Sequence, residues 1–108
     1  MELHKLTHEL HQSSKRLSQG ANEIFTAAKE KAEAEQKYRV ALAKEIMRLK
    51  EEKMPATLIN DVARGNCADL KYERDLAEVK WQSCKQSLES ITSQASALQT
   101  ILKYHSEL

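Results

Sequence analysis

The amino-acid sequence predicts an all-α fold, an antiparallel and coiled-coil-like helical hairpin with a short helix at its corner, expected to pair into a helical bundle. Three observations predict it. Gly occurs twice and Pro once in 108 residues, so the punctuation that strands and hairpin loops require is almost missing. Apolar residues recur at steps of three and four along both halves of the chain, the period of a helix with one buried stripe. Pro55 and Gly65 fall close together only in the stretch 54–66, MPATLINDVARGN, which separates the two periodic arms. The expected organisation is one domain, 1–108, with helices at about 3–53, 55–64 and 67–106.

The first arm carries Leu3, Leu6, Leu10, Ser14, Leu17, Ala21, Ile24, Ala28, Ala32, Tyr38, Leu42, Ile46 and Leu49 on its stripe. Leu17, Ala21 and Ile24 keep one phase across Gly20, where a true turn would reset it. One long helix weakened near Gly20 is therefore the favoured reading, with a break there as the alternative. The alanine-rich middle, AAKEKAEAE, permits close approach of a partner helix.

At the corner, Pro55 fits the first helical turn, where its missing N–H has no role. Leu58, Ile59 and Val62 form one apolar face of the short helix, and Gly65 is suited to a left-handed residue that ends it. Asn66 with Asp69 three residues on resembles a capping box, which starts the last helix near Cys67.

The last arm has the cleanest pattern. Leu70, Ala77, Cys84, Ile91 and Leu98 repeat every seven residues, and Arg74, Trp81, Leu88, Ala95 and Leu102 interleave. This is a coiled-coil-like seam with a single charged member, Arg74. The seam core is thus Leu70, Ala77, Trp81, Cys84, Leu88, Ile91, Leu98 and Leu102. A second stripe, Tyr72, Leu76 and Val79, is expected to cover the corner helix or to meet another subunit. Folding the arms so that facing residue numbers add to about 120 sets Trp81 beside Tyr38, Leu88 opposite Ala32 and Ile91 near Ala28. Leu3, Leu6 and Leu10 then overhang without an intramolecular partner. The surfaces expected to meet a second copy or a partner are Leu3, Leu6 and Leu10 together with Leu58, Ile59, Val62, Tyr72, Leu76 and Val79.

The charges point away from several function classes. Lys plus Arg number 17 and Asp plus Glu 16, a formal net charge of +1. With signs interleaved, as at Glu33 with Lys37 and Glu35 with Arg39, they read as a solvated helix face and make no case for a polyanion or an anionic membrane. A local basic excess at Lys44, Arg48, Lys50, Lys53, Arg64, Lys71 and Arg74, diluted by Glu45, Glu51, Glu52, Asp61 and Asp69, keeps a nucleic-acid-associated role as the alternative. No run approaches membrane-spanning length and the first residues lack an apolar leader core, so a cytoplasmic location is expected.

No catalytic residue, metal site or cofactor is expected. His4, His8 and His11 share one side of the first turns, but HKLTH and HELH lack the glutamate spacing of HExxH, and they read as exposed histidines. Ser13, Ser14, Ser83, Ser87, Ser90, Ser93 and Ser96 have no elbow or glycine-rich loop around them. Cys67 and Cys84, about 25 Å apart if on one helix, cannot bridge each other.

The stretch YRVALAKEIMRLKEEKMPATLINDVARGNCADLKYERDLAE, with its PATLI corner, ARGN turn and DLKYERD helix opening, resembles small helical proteins encoded in phages and prophages of Gram-positive bacteria. The resemblance implies a phage-borne helical protein in the host cytoplasm that acts by binding a host or phage protein, including as an inhibitor of a defence or replication factor. From the residues themselves comes a non-enzymatic protein-binding module, expected to be a homodimer.

Overall fold

The computed structural model of the chain describes residues 2–107. Three helices make it up: α1 (Leu3–Glu51), α2 (Ala56–Asn66) and α3 (Ala68–Glu107). The fold is the expected helical hairpin, with long α1 packed against α3 and short α2 between them. Gly20 lies inside α1 without a break. Two compact units divide the chain, one being Ala27–Trp81 and the other the remaining ends of α1 and α3.

In Ala27–Trp81 the chain reverses at Glu52–Pro55, not across the whole stretch 54–66. The Met54 N–H donates to the Leu49 carbonyl at 3.1 Å, and the Lys53 N–H donates to the Lys50 carbonyl at 3.0 Å. These paired bonds define a Schellman helix end, in which the residue after the cap is left-handed. That residue is Lys53, with φ 63°. The apolar contact that accompanies such an end is also present, since Met54 packs on the cluster of Leu49, Ile59 and Ala63 with Leu42, Ile46 and Val62. Pro55 follows, and a proline here keeps the preceding residue out of the helical region.

Gly65 therefore has a different role from the one its identity suggests. No glycine among the described residues has a positive φ, and Gly65 is an ordinary residue of α2. Asn66 is not a cap either. It closes the last turn of α2, and its side-chain amide donates to Glu45 Oε1 at 2.8 Å. Only Cys67 separates α2 from α3, with φ −105° and ψ 16°. Its N–H donates to the Ala63 carbonyl, and its own carbonyl accepts from Lys71 N–H at 3.1 Å. So α2 belongs to the returning arm.

Placing the reversal at 52–55 moves the register from about 120 to about 110. In this unit Asn66 meets Glu45, Arg74 meets Tyr38, Lys80 meets Glu30 at 2.8 Å and Trp81 meets Lys31. Trp81 is not beside Tyr38, which instead lies under Arg74.

The other unit keeps the same sense of pairing. A Cβ built on Gly20 would stand 2.8 Å from Leu88 Cδ1, so Leu88 packs on Gly20 and not on Ala32. Leu6 is fully buried and Leu10 half-buried. The expected overhang of Leu6 and Leu10 is thus corrected, because the ten-residue change of register supplies α3 partners to the start of α1.

The stripe of α1 alternates steps of four and three, with Leu6, Leu10, Ser13, Leu17, Gly20, Ile24, Ala27, Lys31, Ala34, Tyr38, Ala41 and Glu45 buried or half-buried; within it Leu6, Ser13, Gly20, Ala27, Ala34 and Ala41 repeat every seven residues. Of the expected stripe members, Leu6, Leu10, Leu17, Ile24, Tyr38, Leu42, Ile46 and Leu49 are buried or half-buried, whereas Leu3, Ser14, Ala21, Ala28 and Ala32 are exposed. Adjacent small residues such as Gly20–Ala21 and Ala27–Ala28 do not differ enough in hydropathy to fix the phase, whereas strict seven-residue spacing from Leu6 does. On α3, Leu70, Ala77, Trp81, Cys84, Leu88, Ile91, Leu98 and Leu102 are half-buried and Ala95 is buried.

The turn generates a paired prediction. Lys53→Gly relieves a left-handed side-chain residue and should raise stability by about 0.5–1 kcal/mol. Gly65→Ala adds a Cβ that meets nothing within 4 Å and should also stabilise, by up to about 1 kcal/mol. Urea midpoints of the two variants check both signs. A destabilised Gly65→Ala would restore Gly65 as the helix end.

Candidate interaction surface

Once the seam is closed, the polar residues inside it determine how it is held. Arg74, the one charged member of the α3 seam, lies 4.6 Å from the centre of the Tyr38 ring, which is buried. Its guanidinium donates to Asp75 Oδ1 at 3.0 Å and comes within 3.5 Å of Glu35. Lys31 stands over Trp81 at 5.1 Å. Both cations keep an aromatic face and an edge of solvent, so neither bears the full desolvation of a buried ion.

At the turn, Arg48 is clasped between Glu45 and Glu52, and Asn66 donates to the same Glu45 carboxylate. Hydrogen bonds from Arg48 and Asn66 hold the Glu45 carboxyl below its ordinary value of 4.5. A hydrogen bond from Arg39 does the same for Glu35, and one from Arg74 does so for Asp75. Three of the seven cations expected to give this end a basic excess are internally paired: Arg48 with Glu45 and Glu52, Lys71 and Arg74 with Asp75.

The apolar side chains left outside the seam are the candidates for recognition. Tyr72, Leu76 and Val79 stand at i, i+4 and i+7 on α3 and are 68%, 53% and 60% exposed. They do not cover α2, whose apolar contacts go to α1. Leu58 and Leu3 are likewise exposed. Ile59 is buried and Val62 half-buried in the cluster with Leu49, which removes both from the expected surface. They face α1 because α2 packs on its last turns.

Sequence reasoning missed Val40 and Met47, exposed seven residues apart on α1, and also Phe25, Ile101 and Tyr104. Val40 and Met47 lie within YRVALAKEIM, where apolar residues cover too wide an arc for one partner. That width was the available signal. Val40 lines a groove of about 490 Å³ with Ala41, Lys44 and Leu70. A second groove of about 560 Å³ is floored by Tyr38, Leu42 and Ile46 and rimmed by Arg39, Arg64, Lys71 and Arg74.

Cys67 is buried and Cys84 half-buried, and both are free thiols. Among the described residues no three or more His, Cys, Asp and Glu gather to hold a metal ion, and no helix is long and apolar enough to cross a membrane. No protein-family model, no curated protein and no solved structure matches this chain.

The electrostatics predict the direction of pH dependence. Glu35, Glu45 and Asp75 have lowered values in the folded chain, so what they add to stability is fully present above their ordinary values. It is lost as pH falls through the lowered ones. Urea midpoints should fall on acidification below about pH 4.5, and Glu45→Gln should flatten that fall. A midpoint that rises on acidification would contradict the assignment.

Proposed function

We propose that the chain is a non-enzymatic protein–protein interaction module that works as a homodimer through the outer face of α3. The observation that carries this is the row Tyr72, Leu76 and Val79, three large apolar side chains more than half exposed on successive turns of one helix. The seam with α1 is already occupied by residues on another face of α3, so folding of a single chain leaves the row wet.

The row suits a second copy because it is close to symmetric about Leu76. Tyr72 lies four residues before it and Val79 three after it. An antiparallel two-fold pairing brings Leu76 onto its own counterpart and Tyr72 onto the counterpart of Val79, an isologous contact. The surface available also supports pairing. The accessible area is 8142 Å², against roughly 6,100 Å² expected for a compact folded monomer of 12.3 kDa. The excess of about 2,000 Å² is larger than the roughly 800 Å² that each partner gives to a standard interface.

The resemblance of the PATLI, ARGN and DLKYERD segments to phage-borne helical proteins supports a further reading, that such a dimer acts by engaging a host or phage protein.

Light scattering on the eluting protein across a hundredfold concentration range tests the proposal. The expected mass is twice 12.3 kDa. Leu76→Glu should weaken the dimer at least about tenfold, since it places a charge in the centre of the contact, and should leave helix content unchanged. A monomer at every concentration would remove the proposal.

A further inference from the structure

The groove beside Tyr38 combines an apolar floor with a concentrated positive rim. Leu42 and Ile46 supply the floor, and Arg39, Arg64, Lys71 and Arg74 supply the rim. Two carboxylates serve those four cations. Glu35 takes Arg39 at 2.7 Å and lies 3.5 Å from Arg74. Asp75 takes Arg74 at 3.0 Å and Lys71 at 3.4 Å. The local charge is thus +2, more than the +1 of the entire chain. Arg64 has no carboxylate partner among the described residues.

Dimension narrows the choice of occupant. Tyr38 to Ile46 spans eight residue steps of α1, about 12 Å of helix axis, which matches two turns of a helix laid in the groove. An amphipathic helix docks through anchors at i, i+3 or i+4, and i+7, and here Leu42 and Ile46 offer the complementary apolar surface. A polyanion fits less well. Nucleic-acid affinity comes from releasing counterions by unpaired cations, whereas three of these four already share carboxylates, and the floor is apolar.

We propose that this groove binds an acidic amphipathic helix of a partner protein, its apolar side on Leu42 and Ile46 and a carboxylate on Arg64, the rim cation without a carboxylate partner among the described residues. The site is independent of the dimer row. Lys71 and Leu76, five residues apart, point about 140° apart on α3, and Leu76 takes no part in the groove. Loss of dimerisation and loss of groove binding are therefore read by different measurements, mass in one case and peptide binding in the other.

The test is a titration of the full chain, labelled with nitrogen-15, with three probes. The first is a capped helical peptide with Leu on one face and Glu on the other. The second is its Lys counterpart, and the third is single-stranded oligo-dT. The acidic peptide should shift amide signals of Arg39, Leu42, Ile46, Arg64 and Lys71. The Lys peptide should leave them in place. Arg64→Glu and the milder Arg64→Ala, at an exposed position, should each keep the helical spectrum, and Arg64→Glu should weaken the acidic peptide at least about tenfold. No shift at millimolar peptide, equal shifts with the Lys peptide, shifts mapped elsewhere, or stronger shifts of the same residues by oligo-dT would each overturn the proposal.

Discussion

The structure depends on one backbone constraint, the left-handed residue at Lys53. A helix end of this kind fixes where α1 stops and in which direction the chain leaves. Two carbonyls, of Leu49 and Lys50, are satisfied by the N–H groups of Met54 and Lys53, and Met54 is drawn onto Leu49 in the same movement. Pro55 then excludes helical continuation. For a β-unbranched residue such as lysine the left-handed conformation costs roughly 1–2 kcal/mol, offset here by the two hydrogen bonds and the burial of Leu49, which is 2% exposed.

Everything that pairs across the hairpin follows from that position. With the reversal at 52–55, Arg74 reaches Tyr38 and Lys31 reaches Trp81. A shift of one heptad would keep seam positions on seam positions but would move both cations off their rings. Apolar seams tolerate such shifts because most of their contacts are interchangeable, and polar members at single positions are what specify register. Arg74 and Lys31 are the residues of this seam that are not interchangeable. Gly20 under Leu88 adds a steric counterpart, a place where a larger side chain would press on its neighbour at 2.8 Å.

The sequence made the seam of α3 legible because seven-residue spacing from Leu70 to Leu102 survives any choice of partner. It made the reversal illegible for a specific reason. Left-handed helix ends are usually glycine, and the glycine on offer, Gly65, stood twelve residues beyond the lysine that took the role. Reading Gly65 as the helix end set Lys53 opposite Cys67, shifted the register by about ten residues and left Leu6 without a partner, although it is fully buried. The signal that pointed elsewhere was Leu49 followed by Met54–Pro55, an apolar pair five residues apart ending in a helix-stopping proline. For the interaction surface, the exposed row Tyr72, Leu76 and Val79 was readable as a stripe one helix could not bury with its seam. Ile59 and Val62 were misplaced because the α2 face was expected to meet the Tyr72 stripe or another subunit, whereas it packs on Leu42, Ile46 and Leu49 of α1.

The division of side chains between seam and surface bears on the proposal that this chain engages a second copy and a partner helix. A helix in a hairpin presents one face to its partner and roughly two thirds of its circumference to solvent. On α3 that outer arc carries an apolar row at Tyr72, Leu76 and Val79 and, about 80–140° from its members, Lys71, which with the seam residue Arg74 borders the Tyr38 groove. The row is neutral and nearly symmetric about Leu76, properties that suit a copy of itself. The groove is charged and asymmetric, since its rim draws on α1, α2 and α3 together, properties that suit a different molecule. Because the two lie on separate arcs of the same helix, occupying one does not block the other. A two-fold pair joined at the rows would present two grooves, and a partner with two acidic helices would gain avidity set by their spacing without any new contact.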